Sequence, residues 1–336
     1  MKNLFELVKA ALQRGEDAVL CSIISSSGSS PRSSGAMMAV FQDGQTSETI
    51  GGGAVELESI RIARAFSSCI HEFKLTPNAE EDIGMICGGD VTVCFYRLCA
   101  GDDRLIAVMD AAIDSRQRHT DAWLVTRISD GIPDEIDVFE SGSGIICGSD
   151  IKESDIEGLS STHAKLSYEE PRFFVNPISR SETVYVFGGG HVAQELVPLI
   201  VHVGFHAVVL EDRPEFARRE LFPDADDVML CNFNDIAASV RIKASDYAVV
   251  MTHGHQSDFE IQCQVLRLET FYIGVIGSRH KIAATRERLL AAGIPEARIS
   301  DVHTPIGLDI SAETPAEIAI SIASELIAVR AGKDSR

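Results

Sequence analysis

Short hydrophobic runs alternate with amphipathic stretches through the second half of the chain, and this pattern predicts a parallel sheet with helices on both faces. The predicted strands are residues 184–187, 206–210, 228–231, 247–251 and 271–276. The predicted helices are residues 191–203, 259–268, 280–292 and 315–329. The last helix opens on Thr314-Pro315-Ala316-Glu317, a capping box with proline at the first helical position.

The first half has a less regular pattern, typical of a mixed α/β domain with several glycine loops. The predicted strands are residues 18–24, 36–41, 91–98 and 122–128, and the predicted helices are residues 1–14, 56–66 and 104–118. A polar stretch at residues 149–170 is expected to be a connector. The sequence thus predicts an N-terminal mixed α/β domain over residues 1–176 and a C-terminal Rossmann-like domain with a parallel sheet over residues 181–336.

The strand at 184–187 runs into Gly188, Gly189 and Gly190, and a helix then begins at His191. With Ala193 this gives the G-x-G-x-x-G/A spacing of a nucleotide-binding turn. The first glycine permits the tight turn, and the second lets main-chain N–H groups approach a phosphate. The helix N-terminus adds unpaired N–H groups and partial positive charge.

An acidic residue about twenty positions further on is expected to bind a ribose hydroxyl. Glu211 and Asp212 close the next predicted strand, and either suits that role. The alternative is that Asp212 only caps a helix beginning near Pro214. Whether the ligand is a nicotinamide dinucleotide stays open.

Ligands of an open parallel sheet bind beyond the carboxyl ends of its strands, and three polar loops occupy those ends here. His253 and His255 follow the strand at 247–251 and are candidates for orienting a ligand, for bonds within the loop or, less well supported, for binding a metal. Ser278, Arg279 and Lys281 follow the next strand at a helix start, where they suit an anion such as phosphate. Ordinary solvated side chains are the alternative for the two cations. His303 begins the third loop.

The first half adds three glycine-containing loops. Gly51, Gly52 and Gly53 precede a predicted helix and can form a second anion site. Arg32 lies between two predicted strands, where it can reach a phosphate or be solvated. Cys87 precedes two glycines, so neighbouring N–H groups can stabilise its thiolate, although a buried structural thiol is the alternative.

Composition excludes several classes. The formal net charge is −20 at pH 7, which argues against a nucleic-acid partner because binding phosphate backbones needs a basic face. The eight cysteines show no paired CxxC spacing, so neither a disulfide scaffold nor a structural zinc site is indicated. No run of eighteen apolar residues and no signal-peptide pattern is present, and we therefore expect a cytoplasmic protein without membrane contact.

These motifs together resemble the XdhC/CoxI family of xanthine dehydrogenase accessory proteins. The N-terminal resemblance rests on GSSPRSSGAMM, IGGGAVE and GMICGGD, at residues 28–38, 50–56 and 84–90. The C-terminal resemblance rests on VFGGGHVAQEL, EDRPEFA, THGHQSD, YIGVIGSRHK and the run from His303 to Glu325. The match covers nearly the whole chain except its middle.

The resemblance implies a role in maturation. Family members bind molybdenum cofactor (molybdopterin), support its sulfuration and deliver it to a xanthine dehydrogenase-type molybdenum hydroxylase, which implies a cysteine desulfurase as a further partner. It implies that Cys87 contacts molybdenum or relays sulfur, since a thiolate is a soft ligand. Family members often carry cysteine where this chain has Ala54, so a mechanism with two thiols is in doubt here. We expect a homodimer, because a two-fold axis can complete two cofactor-contacting surfaces.

Two rival functions remain at this stage. An NAD(P)-dependent oxidoreductase would use the same glycine turn, with His253, His255 or His303 as acid–base candidates. The first half offers no recognisable catalytic pair for hydride transfer. The other rival, a component of the hydroxylase itself, is less well supported, because the chain lacks iron–sulfur cysteine clusters.

Overall fold

The computed structural model describes residues 4–28, 33–75, 89–277 and 279–333, with the backbone alone described at residues 279–283. The chain divides into two compact units, the N-terminal unit (Met1–Arg180) and the Rossmann unit (Ser181–Arg336). Both halves are α/β, with antiparallel sheets in the first and a parallel sheet in the second, which confirms the predicted fold class.

Two antiparallel five-stranded sheets form the described part of the N-terminal unit, in the orders β3-β2-β1-β5-β4 and β8-β7-β6-β10-β9. The strands are β1 Ala18–Ser26, β2 Met37–Phe41, β3 Thr46–Glu48, β4 Cys69–Lys74, β5 Asp90–Leu98, β6 Ala122–Ser129, β7 Ile132–Glu140, β8 Gly144–Ile145, β9 Lys165–Leu166 and β10 Arg172–Ser179. The helices are α1 Leu4–Gln13, α2 Gly53–Ala63 and α3 Asp103–Gln117. One buried cluster joins α1 and α3 to residues of both sheets, among them Leu20, Leu98, Leu124 and Val138.

The polar stretch at residues 149–170 belongs to this unit and is not a plain connector. Ile151 and Ile156 are buried against Val125 and Val175 of the second sheet, and a 3-10 turn spans Glu153–Ile156. β9 then pairs with β10. Leu159, Ala164 and Leu166 are partly buried against the same sheets, so the polar average composition of the segment conceals that it is packed.

The Rossmann unit contains one parallel sheet in the order β13-β12-β11-β14-β15 within its described residues. Its strands are β11 Thr183–Phe187, β12 His206–Glu211, β13 Asp227–Leu230, β14 Tyr247–Val250 and β15 Tyr272–Val275. Its helices are α4 His191–His202, α5 His255–Val265, α6 Arg279–Ala291, α7 Glu296–Ser300 and α8 Pro315–Arg330. Alternate strand residues face opposite clusters, such as Val186 and Phe187, because strand side chains alternate with a period of two.

Two local predictions for this unit differ from the structure. α5 begins at His255, four residues before the predicted start, because its first turn is polar and its N-cap, Gly254, offers no side-chain signal. No helix begins near Pro214, where the chain forms turns and a 3-10 helix follows at Arg219–Leu221. Asp212 therefore does not act as the cap of a helix there. The capping box at Thr314 and Glu317 is present as predicted.

Candidate functional site

The strand order reverses between β11 and β14, and this is where a doubly wound sheet opens a crevice for a ligand. A cleft of about 410 Å³ lies at this point. We call it the switch-point cleft, and its lining residues are Gly190, His191, Arg213, Phe216, Met251, Thr252 and His253. The glycine turn after β11 and the loop after β14 thus face a common space.

The three glycines of the turn differ in what they permit. Gly188 has φ +113°, and a Cβ there would lie 2.5 Å from the carbonyl oxygen of Met251, so only glycine fits between the turn and β14. Gly189 donates its N–H to Oε2 of Glu211 at 2.7 Å. Gly190 has φ −71°, and a Cβ there would meet no atom within 4 Å. The fold therefore does not itself require glycine at position 190, where the turn borders the cleft.

The N-terminus of α4 lies at this open position. Gly190 is its N-cap and supplies no side-chain acceptor to the first turn, and His191, the first helical residue, is exposed. The first N–H groups of a helix have no partner within it and carry partial positive charge. An anion in the switch-point cleft can satisfy them, which is the arrangement found at phosphate-binding turns.

Glu211 is occupied by the protein itself. Its side chain is 1 % exposed and accepts hydrogen bonds from the main-chain N–H groups of Gly189, Asp212 and Arg213 and from the Arg213 guanidinium. Burial alone would raise the pKa of Glu211, but these hydrogen bonds lower it to about 2. Its carboxylate stays ionised and holds the glycine turn against the end of β12.

Asp212 retains a carboxylate that a ligand can reach. Its side chain is 45 % exposed, and burial together with the neighbouring Glu211 raises its pKa. Of the two acidic residues, Asp212 is the one left with an accessible acceptor for a hydroxyl group.

Arg213 and Phe216 form one wall of the cleft, and neither was predicted from the sequence as a site residue. The Arg213 guanidinium carbon lies 4.1 Å above the centre of the Phe216 ring, while its nitrogen atoms pair with Glu211. A flat ligand group can stack on such a surface. The available signal was an arginine directly after two acidic residues, followed shortly by an aromatic residue.

The two loop histidines line different cavities. His253 borders the switch-point cleft, whereas His255 is the first residue of α5 and borders a smaller cavity of about 100 Å³ beside Asp258. Thr252, directly before His253, fixes the start of this loop, because its hydroxyl donates to Asp258 Oδ1 at 2.6 Å. The structure brings His253, but not His255, to the same cleft as the glycine turn.

The N-terminal glycine loop also holds a carboxylate of the protein. Gly51, Gly52 and Gly53 all have positive φ, and the loop folds over Glu56 of α2. Oε2 of Glu56 accepts from the Thr49 hydroxyl, from the Ile50 N–H at 3.1 Å and from the Gly52 N–H at 3.0 Å. Burial would raise the pKa of Glu56, but these bonds lower it overall. Glu56 thus competes with any anion for this loop.

We expect Glu56→Gln to lower the free energy of unfolding by about 2 kcal/mol, because it replaces a charged acceptor shared by several donors with a neutral amide. Urea denaturation followed by circular dichroism measures the change. Glu58→Gln on the same helix is the matched control, since Glu58 pairs with the exposed Arg61, and it should change the value by less than about 0.5 kcal/mol. Equal effects of the two variants would show that Glu56 does not anchor the loop.

Several predicted site residues lie outside the described residues, namely Arg32, Cys87 and Ser278. Arg279 and Lys281 fall in the first turn of α6, with only their backbone described. Their roles stay predictions.

Six of the seven described cysteines show no sign of an activated thiol. Burial raises the pKa of six of them, namely Cys21, Cys69, Cys94, Cys147, Cys231 and Cys263. A raised pKa suppresses the thiolate that would bind metal or carry sulfur. Among the described residues, none of these six is a good candidate for the role predicted for Cys87.

No described helix combines the length and apolar character needed to cross a membrane.

The chain matches known proteins along nearly its whole length. The model of the XdhC Rossmann domain matches residues 184–326, and that of the XdhC and CoxI family matches residues 11–70. A Bacillus subtilis protein, named as a probable component of xanthine dehydrogenase, is 28% identical over 98% of both chains. The Escherichia coli molybdenum cofactor insertion chaperone PaoD is 20% identical over 98% of this chain and 88% of its own.

One solved structure is similar to this chain over nearly its full length. The crystal structure of a Bacillus halodurans protein, described as a xanthine dehydrogenase, has a TM-score of 0.79 and 26% identity, over 99% of this chain and 97% of that one. The motifs of both halves, the two family models and this full-length likeness agree, and the chain belongs to the XdhC and CoxI family.

Proposed function

We propose that this protein binds molybdenum cofactor and takes part in its insertion into a xanthine dehydrogenase-type hydroxylase. The names of its relatives, a molybdenum cofactor insertion chaperone and a probable component of xanthine dehydrogenase, support this maturation role. The observation that carries the proposal is the open helix N-terminus at Gly190 in the switch-point cleft. The cofactor is a pterin with a phosphate group, and the phosphate is the part that this position suits.

The residues of the cleft fit such a cargo. Main-chain N–H groups at the start of α4 bind the phosphate, and the absence of a side chain at Gly190 lets it come close. Arg213 and Phe216 offer a flat surface beside it, and Asp212 accepts a hydroxyl hydrogen bond. These contacts hold the cargo without chemistry on its organic part.

The test is to purify the protein from cells that synthesise molybdopterin and to measure bound molybdenum and pterin. We expect both to co-purify, and hydroxylase activity to fall when cells lack this protein. If neither is retained, and hydroxylase activity is the same with and without the protein, the proposal fails.

Sulfuration of the cofactor is a finer part of the proposal and rests on Cys87. Cys87→Ser should remove most of the activation of the hydroxylase while leaving the amount of bound pterin unchanged, because serine is nearly isosteric but is neither a soft ligand nor a sulfur carrier. Activation of apo-hydroxylase in extracts measures the effect.

Cys263→Ser is the matched control, since Cys263 lies on α5 and burial raises its pKa. Full activation by Cys87→Ser would reduce Cys87 to a packing residue. A cysteine desulfurase as sulfur donor and a homodimer as the working form remain part of the same proposal.

One observation favours a second candidate, a nicotinamide-dependent oxidoreductase. Asp212 stands at the carboxyl end of β12 with an accessible carboxylate, where dinucleotide-binding folds bind a ribose hydroxyl. Titration with NADH and NADPH, followed by nicotinamide fluorescence, separates the two candidates. Absence of binding removes the oxidoreductase.

A further inference from the structure

The Rossmann unit contains a second polar centre, away from the glycine turn, around His303. His303 follows α7 and forms a parallel bridge with Gly274 of β15. It is 8 % exposed and borders a cavity of about 540 Å³, which we call the His303 pocket. Residues 302–312 form much of its lining, with Ser321 and Glu325 of α8.

Glu325 lies beside the Nδ1 edge of the His303 imidazole. Its Oε1 lies 3.0 Å from Nδ1 of His303 and accepts the Tyr272 hydroxyl, and its Oε2 accepts the Gly307 N–H at 3.0 Å. Burial would raise the pKa of Glu325, but the nearby His303 ring and the hydrogen bond from Tyr272 lower it overall. An ionised carboxylate at this distance favours the proton on Nδ1. In the neutral ring the other nitrogen, Nε2, then carries a lone pair.

The hydrogen-bonding capacity of the His303 imidazole is not fully used by the described residues. Although Nδ1 lies close to Glu325, it is buried and has no hydrogen bond of acceptable geometry among the described residues. The described residues also offer no hydrogen-bond partner to Nε2. The Tyr272 ring lies 4.6 Å from the imidazole, centre to centre, and restricts its position. A ligand in the pocket can supply the hydrogen-bond partner that Nε2 lacks.

The pocket is rich in acceptors. Its described lining contains the carboxylates of Glu325 and Asp309 and no lysine or arginine. Much of the rest is apolar, including Ile276, Ile306 and Leu308, which favours a flat ring over a hydrated cation.

We propose that the His303 pocket binds the 2-amino-4-oxopyrimidine edge of a pterin, with His303 Nε2 accepting a hydrogen bond from its ring N–H or amino group. This edge presents two adjacent N–H donors, whereas adenine presents one donor beside an acceptor. Glu325 and Tyr272 are positioning residues that act through His303. The inference rests on the proposed function for its ligand and adds the part of the protein that recognises the ring.

The test uses ligands without phosphate, so that binding does not depend on the switch-point cleft. Neopterin is titrated onto the full-length protein and followed by quenching of its fluorescence, with guanosine and adenosine as competitors. We expect neopterin and guanosine to bind and adenosine to bind at least tenfold more weakly. His303→Phe and His303→Gln should each weaken neopterin binding about tenfold, and His202→Gln, at the C-terminal end of α4, should not.

A second measurement is independent of folding defects in the variants. In wild-type protein with ¹⁵N-labelled histidine, the His303 signal is assigned by its absence in His303→Gln, and above the pH at which the ring loses its second proton it should show the proton on Nδ1. Its Nε2 resonance should shift as neopterin is added, and Glu325→Gln should weaken the preference for that tautomer.

The inference is overturned if wild-type protein binds neither neopterin nor guanosine, or binds adenosine as tightly. It is also overturned if both His303 variants bind neopterin as tightly as the wild type, or if the His303 resonances do not shift at saturating neopterin. Each of these results leaves the proposed function standing if molybdenum and pterin still co-purify.

Discussion

Gly190→Asp is expected to abolish retention of the phosphorylated cofactor while leaving the Rossmann unit at least as stable as in the wild type. Residue 190 has extended N-cap geometry, and a side chain there meets no atom within 4 Å, so aspartate fits and caps α4. An N-cap aspartate stabilises a helix by about 0.3 kcal/mol relative to glycine. Its carboxylate would occupy the N–H groups that we assign to the phosphate and would repel a second anion.

Molybdenum and pterin per mole of purified protein measure the effect, and we expect at least a tenfold loss. Gly190→Asn is the matched variant, because asparagine also caps the helix but carries no charge. The asparagine variant should lose less cofactor than the aspartate variant. The difference between the two losses measures the contribution of charge repulsion. Thermal unfolding of both variants should be at or above the wild-type midpoint. Normal cofactor content in Gly190→Asp would show that the turn is purely structural.

Gly188 provides the contrast within the same turn. Its positive φ and the 2.5 Å approach of Met251 mean that even alanine must displace the backbone at the end of β14. A loss of cofactor in a Gly188 variant would therefore report a damaged sheet, whereas loss in Gly190→Asp reports the ligand.

Glu211→Gln is expected to destabilise the Rossmann unit by about 3 kcal/mol. The substitution removes the charge that five N–H donors share and leaves the Arg213 guanidinium with the more distant Asp212 carboxylate, 4.0 Å from Nε, in place of its close counter-ion. Loss of one partner from a buried ion pair costs about 3–5 kcal/mol, and the partial exposure of Arg213 places this case at the lower end. Chemical denaturation at pH 7 measures the difference.

The pH dependence provides an independent check. Because folding lowers the pKa of Glu211 from 4.5 to about 2, its stabilising contribution is fully present above pH 4.5 and is lost as the pH falls towards 2. Wild-type stability should decline across this interval more steeply than that of Glu211→Gln. Asp212→Asn is the control, since Asp212 is 45 % exposed and should change stability by less than about 0.5 kcal/mol at pH 7. Parallel curves for wild type and Glu211→Gln would refute the anchoring role.

Much of the Rossmann unit could be predicted because its signals are local. All five of its strands lie within one or two residues of their predicted positions, since a buried parallel strand is a continuous apolar run bounded by turn residues. The N-terminal unit was harder. β7 contains Pro133 and several acidic residues, and β4 is short and polar, so neither has a distinct apolar run. Both strands form because β6 and β5 supply neighbours from elsewhere in the chain.

The sequence by itself determined the parallel sheet, the glycine turn at its centre and the family, because these depend on the spacing of residues that are close in the chain. Only the tertiary structure decided which N–H groups of the glycine loops remain free. Glu56 accepts hydrogen bonds from the first loop. Glu211 accepts the N–H of Gly189, which lies 22 residues earlier in the chain, while no side chain caps the start of α4. The same holds for His303, whose partner Glu325 comes from a helix that packs beside it only in the folded protein. Hydrogen-bond partners of this kind are set by three-dimensional packing, and sequence spacing does not encode them.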